Sequence, residues 1–364
     1  MSYKLLFISD IHFGCKNNSE KYISIIKSFF LDTLKNVIEK ENIKDVRILG
    51  DLIDNRNTIN IRTLNTVLDV FRWYQNHKPS VKFKILLGNH DIYYHNRVDI
   101  NSIEVLREFP NIEIIDNSVE EVINGKSIIT FPWLVKDTEA YIKFNEVIHG
   151  EKVYDLCLGH FEINGFEVTP GIIHENGEQS IGKFKNFKRV FTGHFHLRNT
   201  SNQISYLGCP YPLNWGDYGD QKGIHIYDID EGTTTFIENN DSPAFIKLTI
   251  DDLLQKNLAK LSKIKGNFIK LVVDKKYDPK IILKCLSIIE NCEPIKLEVD
   301  NIFIEDFNGE DVGEVDLSRL NDPQVFLNEY IKNINLDNEY KDLDKIDFIK
   351  YVSELYGNIV NETE

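Results

Sequence analysis

Residues 83–91 read Phe-Lys-Ile-Leu-Leu-Gly-Asn-His-Asp, an apolar run of strand length that stops at a cluster of polar groups. Four more clusters stand in the same relation to a preceding apolar run: Asp10-Ile-His12, Gly50-Asp51-Leu-Ile-Asp54, Gly159-His160 and Gly193-His194-Phe-His196. Strand-end loops can carry ligands from distant sequence positions to one place, and two divalent ions a few Å apart need about seven oxygen and nitrogen donors. The pattern predicts a two-metal centre suited to phosphoester hydrolysis.

Outward from this stretch, strand and helix signals alternate. Tyr3 to Ser9 is a short apolar run, Lys21 to Lys40 repeats Ile, Phe, Leu and Val at helical spacing, and Val46 to Leu49 is a second apolar run. Ile61 to Asn76 is another amphipathic stretch, leading into the run at 83–87. This is a repeated β-α-β pattern in which each strand ends on a polar cluster. After Asn111 come short strand-like segments, Ile112 to Ile115, Ser127 to Phe131, Val153 to Leu158 and Arg189 to Thr192, which predict a second sheet packed on the first. The reading is a sandwich-like α/β domain over residues 1–240.

Glu238-Asn-Asn-Asp-Ser-Pro243 is rich in turn formers and marks a boundary. Beyond it, Phe245 to Ile250, Asp251 to Ser262, Asn267 to Asp274, Pro279 to Glu290 and Ile295 to Val299 alternate as β-α-β-α-β, a small α/β domain over 241–300. Residues 301–321 are acidic and read as a linker. In 322–364, Asp322-Pro323 opens an amphipathic helix to about Ile334, and Asp344 to Tyr356 carries a second apolar stripe.

With 364 residues, 42% of them apolar, the chain can bury a large core. No apolar run approaches the roughly 20 residues of a membrane span, and Met1 leads into a strand rather than a signal-peptide pattern, so a soluble, cytoplasmic protein is expected. Five scattered cysteines without C-x-x-C spacing (Cys15, Cys157, Cys209, Cys285, Cys292) predict neither a disulfide framework nor a zinc knot. The net charge of −15 is uneven: residues 301–364 hold 16 acidic against 5 basic side chains, a net of −11, which leaves −4 for the rest. Were the substrate a polyanion, bound cations and a partner would have to supply part of the grip.

The clusters differ in weight. Asp10 and His12 at i and i+2 of an extended strand end point the same way, as two ligands of one ion would, although an Asp there can also cap a helix. Asp51 follows Gly50, whose freedom permits a tight turn, and a carboxylate can bridge two cations. Asn89 is a neutral hard ligand, and the adjacent His90, aimed elsewhere, can give a proton to a leaving oxygen or stabilise phosphoryl charge. His194 and His196 would share one side of an extended segment, with Phe195 inward. His160 gains its meaning from following a strand as the other clusters do.

In this order, D-x-H, GDxxD, GNHD, GH and GHxH resemble the motifs of the calcineurin-like metallophosphoesterase superfamily, over Ser9 to His196. Within it the chain is similar to SbcD-type nuclease subunits of double-strand-break repair and recombination complexes, including the phage recombination endonuclease subunits. The Asp54-Asn55-Arg56 continuation, the segment Gly208-Cys-Pro-Tyr-Pro-Leu-Asn-Trp215-Gly-Asp217 with Lys222-Gly223, and the small domain followed by helices carry this closer likeness. The resemblance implies a four-layer β-sandwich flanked by helices, with a small α/β capping domain and C-terminal helices. It implies a two-metal-dependent DNA exonuclease and single-strand endonuclease, a homodimer, whose C-terminal helices dock on the coiled coil of an SbcC-type ABC ATPase. One metal would be held by Asp10, His12, Asp51 and His196 and the other by Asp51, Asn89, His160 and His194, with manganese the usual pair. A water between the ions would attack in line, His90 would protonate the leaving oxygen or stabilise the transition state, and Asp54 would orient His90 through a hydrogen bond. A phosphomonoesterase or nucleotide phosphodiesterase, and a non-catalytic scaffold, are the alternatives.

His77, His95, His149, His174 and His225 fall outside the motifs and read as surface or packed residues. Tyr93, Tyr94 and Arg97 follow GNHD closely and either contact DNA or pack a tyrosine pair into the core. The run Lys183-Phe-Lys-Asn-Phe-Lys-Arg189 either touches DNA or is a solvated strand approach. Trp215 and Tyr218 flank Asp217 near the expected site mouth, mainly in structural roles. Ile61 to Trp73 and Ile100 to Phe109 are dimer-interface or core candidates.

Overall fold

The N-terminal apolar run forms β1 (Lys4–Ile8), and the alternation of a strand sends its side chains to two different layers. Leu5 and Phe7 enter an apolar layer shared with Ile128, Leu156, Leu158 and Phe191, while Leu6 and Ile8 are buried on the opposite face. A computed structural model, describing residues 2–255 and 258–301, shows what covers each face. The chain divides into two compact units, one ending at Phe245 and the other beginning at Ile246.

In the first unit, β2 (Asp45–Ile48), β3 (Lys82–Leu86) and β4 (Ile112–Ile115) continue the sheet from β1 in parallel. The second sheet contains β5 (Val119–Ile123), β6 (Lys126–Thr130), β7 (Leu156–His160), β8 (Val190–Gly193), β9 (Asn199–Ser201) and β10 (Ile204–Tyr206). The chain then returns to the first sheet through β11 (Gly223–Asp228) and β12 (Thr233–Glu238), which pair antiparallel beside β1. The sheet orders are β12-β11-β1-β2-β3-β4 and β9-β10-β8-β7-β6-β5.

The sheets face one another through Phe7 and Phe191, whose ring centroids are 4.9 Å apart. On the far side of the first sheet, helical segments Glu20–Ser28, Phe29–Leu34 and Lys35–Glu41 run on without a break, beside the helix Ile61–His77. An edge-to-face chain from Phe30 to Phe71 to Phe83 (centroids 6.0 and 5.4 Å) fastens these helices to β3. The Tyr74 hydroxyl donates to the Phe30 carbonyl at 2.6 Å and ties the helices together. Outside the second sheet, Glu139–His149 sets Ala140, Phe144, Val147 and Ile148 into a cluster with Phe131, Phe161 and Phe184. The result is the four-layer α/β sandwich, helices outside and two mixed sheets within.

Every strand expected for this unit is present, with ends shifted by up to three residues. The shift matters at β7, expected at Val153 to Leu158, because the observed strand runs to His160 and makes that imidazole its last residue. The two candidate interface segments direct much of their apolar surface inward: Val67, Val70 and Phe71 from one, Ile103, Leu106 and Phe109 from the other.

One buried ion network spans the two sheets. Arg47 of β2, 1% exposed, donates to Asp45 (Nε 2.5 Å, Nη2 2.8 Å) and, across the sandwich, from Nη1 to Glu121 of β5 at 2.6 Å. Lys84 of β3 reaches the other Glu121 oxygen at 2.8 Å.

The second unit has its own small sheet, with β13 (Phe245–Thr249), β14 (Phe268–Val273) and β15 (Lys296–Asn301) in that order, β14 and β15 being parallel. The helix Pro279–Glu290 connects the parallel pair, and Leu248, Ile250, Ile269, Leu271, Cys285 and Ile289 form the core. All five cysteines are free, four of them buried. No helix of the described residues is long and apolar enough to cross a membrane. The acidic linker expected over 301–321, apart from Asn301 at the end of β15, and the C-terminal helices expected over 322–364 lie outside the described residues.

Removing Arg47 leaves Asp45 without a cation and Glu121 with Lys84 alone, and breaking a buried pair in this way costs about 3–5 kcal/mol. Arg47→Met is therefore expected to lower the urea unfolding midpoint sharply. A variant within 1 kcal/mol of the parent would show the network to be neutral.

Candidate metal centre

Because β1, β2 and β3 are parallel, the loops that follow them leave from one edge of the sheet, the usual ligand edge of α/β sheets. These loops carry Asp10 and His12, Asp51 and Asp54, and Asn89 and His90; β7 ends on His160 and β8 on Gly193, just before His194. All of the expected ligands come together there.

The backbone is not extended at these points as the sequence pattern suggested. Asp10, His12 and Asp51 adopt left-handed φ of 55°, 53° and 54°, and His194 has φ 99°. Non-glycine residues hold such angles at a cost of about 1–3 kcal/mol each, and only where surrounding bonds over-determine them. Those bonds are present: Asp10 N–H donates to Gly50 O (3.1 Å), His12 N–H to Asp51 O (3.0 Å), His194 N–H to the Asp10 carboxylate (3.0 Å) and His90 N–H to Asp51 Oδ1 (2.9 Å). The turn at His194 sends His194 and His196 to different places, so they do not share one side of a strand. Gly88 is required by close approach, since a Cβ there would stand 2.1 Å from Asp51 Oδ1.

Two donor groups lie against Asp51, and a third brings His12, Asp54 and His90 together beside them. In the first, ligand atoms of Asp10, His12 and His196 lie within 4.8 Å of one another, with the two Nε2 atoms of His12 and His196 only 3.0 Å apart. In the second, Asp51, His160 and His194 converge, and Asn89 Oδ1 lies 3.1 Å from His160 Nε2 and 3.0 Å from His194 Nδ1. Asp51 Oδ2 stands between the groups, 3.3 Å from His160 Nε2 and 3.8 Å from His12 Nε2.

The donor chemistry fits cations. His160 gives its Nδ1 proton to the Leu49 carbonyl at 2.7 Å, which turns Nε2 toward Asn89 Oδ1 and Asp51 Oδ2. Neutral imidazole would then present a lone pair to two acceptors, an arrangement that needs a proton or a cation among them. Ligands about 2.1 Å from one ion and at right angles lie about 3 Å apart, the spacing found here.

Electrostatics express the same conflict. Burial opposes charge on Asp51, but His160, then His12 and His90, outweigh it and hold the carboxyl well below its usual range. Burial likewise opposes charge on His160, yet Asp51 pushes it up to about 9. Burial, then the charge of His160, takes His194 down to about 3, and burial and His12 lower His196.

Residues 3–198 match the calcineurin-like phosphoesterase family. The chain belongs to that family. A calcineurin-like phosphoesterase is a metal-dependent hydrolase, and the matched segment carries every expected ligand from Asp10 to His196. Among curated proteins, exonuclease subunit 1 of Enterobacteria phage T4 is 25% identical over 97% of this chain and 98% of its own length. Phosphoesterase 078R of invertebrate iridescent virus 3 is 26% identical over 36% of this chain and 35% of its own. A solved archaeal phosphodiesterase, 14% identical and covering 65% of this chain and 99% of its own, has a TM-score of 0.34, too remote to bear on the fold.

Around the donor groups of this phosphoesterase, three side chains do something other than the sequence suggested. His90 Nδ1 donates to the backbone carbonyl of Asp54 at 2.6 Å, so the Asp54 main chain, not its carboxylate, orients His90. The Asp54 carboxylate instead lies 3.2 Å from His12 Nδ1, as an ion-pair contact. Asp91, the last residue of GNHD, has no role that the motif alone suggests; it is fully buried and accepts from Gly88 N (2.9 Å), Ile53 N (3.0 Å) and Leu52 N (3.3 Å), lacing two ligand loops together. Burial, then Asp51, pushes its carboxyl up to about 7. Lys222 is the third: buried between Asp217 (2.6 Å) and Asp220 (2.8 Å), it donates to the His196 carbonyl at 2.5 Å and fixes the GHFH loop.

The remaining histidines stay outside. His77 stacks on Trp73, His149 bonds Asn145 O, His174 meets Glu162, His225 is buried on β11, and His95 contacts Arg56. Phe184 and Phe187 are buried, which leaves only the cations of the 183–189 run at the surface. Tyr93 and Tyr94 are exposed, so the core-packing alternative does not hold.

Asp51→Asn is expected to bind manganese on the order of 100-fold more weakly than the parent, with its unfolding midpoint little changed. Metal content after gel filtration, read by mass spectrometry, checks this; parental stoichiometry in the variant would remove Asp51 from the bridging position.

Proposed function

We propose that this chain is a two-metal DNA phosphodiesterase, an exonuclease and single-strand endonuclease subunit that works with an SbcC-type ABC ATPase in double-strand-break repair or recombination. The observation that carries the reading is the convergence of two donor groups on Asp51, in a chain collinear with a phage exonuclease subunit over nearly its whole length. Asp10, His12, Asp51 and His196 would hold one ion, and Asp51, Asn89, His160 and His194 the other. Manganese suits this mixture of carboxylate, amide and imidazole donors. Divalent cations there would polarise a phosphoryl oxygen and make water acidic enough to attack at neutral pH.

The chain's own groups do the rest. Asp51, fixed by His90 N–H, holds both donor groups in register. His160, its tautomer set by Leu49 O, offers Nε2 as a ligand. His90 is set apart: with Nδ1 on Asp54 O, its Nε2 is free to protonate a departing 3′ or 5′ oxygen or to meet charge on the phosphoryl group.

The acidic balance of the chain supports assembly with a DNA-gripping partner. On this reading 1–240 is the nuclease domain, 241–300 a capping domain, 301–321 a linker, and 322–364 the ATPase-docking helices. A homodimer and a cytoplasmic setting, bacterial or host, complete the picture.

Purified protein with Mn²⁺ should degrade linear duplex and nick circular single-stranded DNA, more strongly with its ATPase. Hydrolysis of p-nitrophenyl phosphate with no DNA cleaved would replace this reading by a small-substrate phosphatase. His90→Ala should keep its metal and lose about 10²–10⁴-fold in DNA cleavage. Bis(p-nitrophenyl) phosphate, whose leaving group needs no proton, should lose far less; equal losses would assign His90 to phosphoryl charge instead.

A further inference from the structure

Directly after His90 the chain leaves the core as a short, pinned loop. Ile92 is buried and bridges Asn101, Tyr93 N–H donates to Ile100 O at 3.0 Å, and Ser102 N–H donates to Asp91 O at 2.7 Å. Between these anchors Tyr93 and Tyr94 stand 43% and 38% exposed, edge to face, with centroids 4.7 Å apart. The Arg97 guanidinium lies over the Tyr94 ring at 4.1 Å and also pairs, from Nε, with the exposed Asp99 carboxylate at 3.0 Å. A second loop reaches the same surface: Arg56, two residues beyond Asp54, donates from Nη1 to His95 Nδ1 at 2.8 Å. No carboxylate among the described residues pairs with Arg56, so its charge is not neutralised locally.

Tyr3 and Tyr218 are also exposed, but Tyr74, Tyr206 and Tyr211 put their rings in the core and their hydroxyls on carbonyls. Tyr93 and Tyr94 do neither, and the fold holds both rings in water beside two guanidinium groups. Three or four residues of extended chain reach at most about 14 Å, so the rings stay within a few nucleotides of any phosphate beside His90.

We infer that Tyr93 and Tyr94, flanked by Arg56 and Arg97, form a platform that stacks unpaired bases next to the reacting phosphate, and so directs the enzyme to single-stranded or frayed DNA. The inference rests on the nuclease reading above. Aromatic faces accept any base, which suits a nuclease without sequence preference, while a paired base keeps its face inside the duplex stack. The guanidinium groups meet the neighbouring phosphates. A second copy of the chain is the other candidate occupant of this patch, but two Arg56 guanidinium groups without carboxylate partners would repel where the patches meet.

The test compares the parent with Tyr93→Ala/Tyr94→Ala and Tyr93→Phe/Tyr94→Phe, using a short single-stranded oligonucleotide and a blunt duplex in Mn²⁺. The alanine pair should raise KM for the single strand about tenfold or more, with kcat and metal content altered less. The phenylalanine pair, which keeps the ring faces, should match the parent. Anisotropy of the labelled oligonucleotide should follow KM. Unchanged KM, equal losses on both substrates, or a loss shared by the phenylalanine pair would overturn the platform. So would light scattering that finds a parental dimer and a monomeric alanine variant. A parent that neither binds nor cuts DNA would instead sink the nuclease reading, and this inference with it.

Discussion

The structure turns on acceptors facing acceptors. Asp51 Oδ2 and Asn89 Oδ1 each lie about 3 Å from the Nε2 atom of the buried His160, and two imidazole Nε2 atoms oppose one another nearby. Such lone pairs repel unless a positive charge sits among them, and burial makes the repulsion larger, not smaller. Protons can serve, which is why Asp51 pushes His160 up while burial, and then His160, push His194 down. Cations serve better: one ion satisfies three or four donors at once, where a proton satisfies two.

To sustain this crowding the polypeptide takes conformations it would otherwise avoid. Four ligand residues have left-handed backbone, and each is pinned by a bond that crosses between loops. Asp91 and Lys222 do the pinning without reaching the centre, the carboxylate gathering three amide N–H groups and the ammonium gathering a carbonyl and two carboxylates. Both are ionisable groups in a buried setting, tolerable because backbone N–H groups satisfy Asp91 and two carboxylates and a carbonyl satisfy Lys222. The rigid sandwich beneath, closed by Phe7 on Phe191 and by Arg47 on Glu121, keeps those pairs from relaxing.

Much of this was legible in the sequence because strands and ligands leave local traces. Alternating apolar runs located β1, β2, β3 and β8 to within a residue or two, and the polar clusters after them named every residue that the fold brings together. What did not show was geometry set by contacts distant in sequence. The extended arrangement assumed for Asp10-Ile-His12 and Gly193-His194-Phe-His196 fails because φ there is decided by Gly50, Asp51 and Asp10, tens to hundreds of residues away. Family likeness points the Asp54 carboxylate at His90, whereas in the fold the Asp54 carbonyl takes that place. Asp91 carried a signal that could have been used: a carboxylate closing a tight Gly-Asn-His turn is well placed to bond the turn's own N–H groups.

Charge explains why substrate choice should reside so close to the centre. The chain carries −15 overall, so its long-range field repels a polyanion. At physiological salt that field is screened beyond about 8 Å, and within this distance the balance is local. A pair of divalent cations, with Arg56 and Arg97 nearby, would convert a repulsive surface into one attractive spot. Affinity would then depend on metal occupancy and on the groups in the first few nucleotides' reach, not on a basic face, so a substrate would be held where it reacts and scarcely anywhere else.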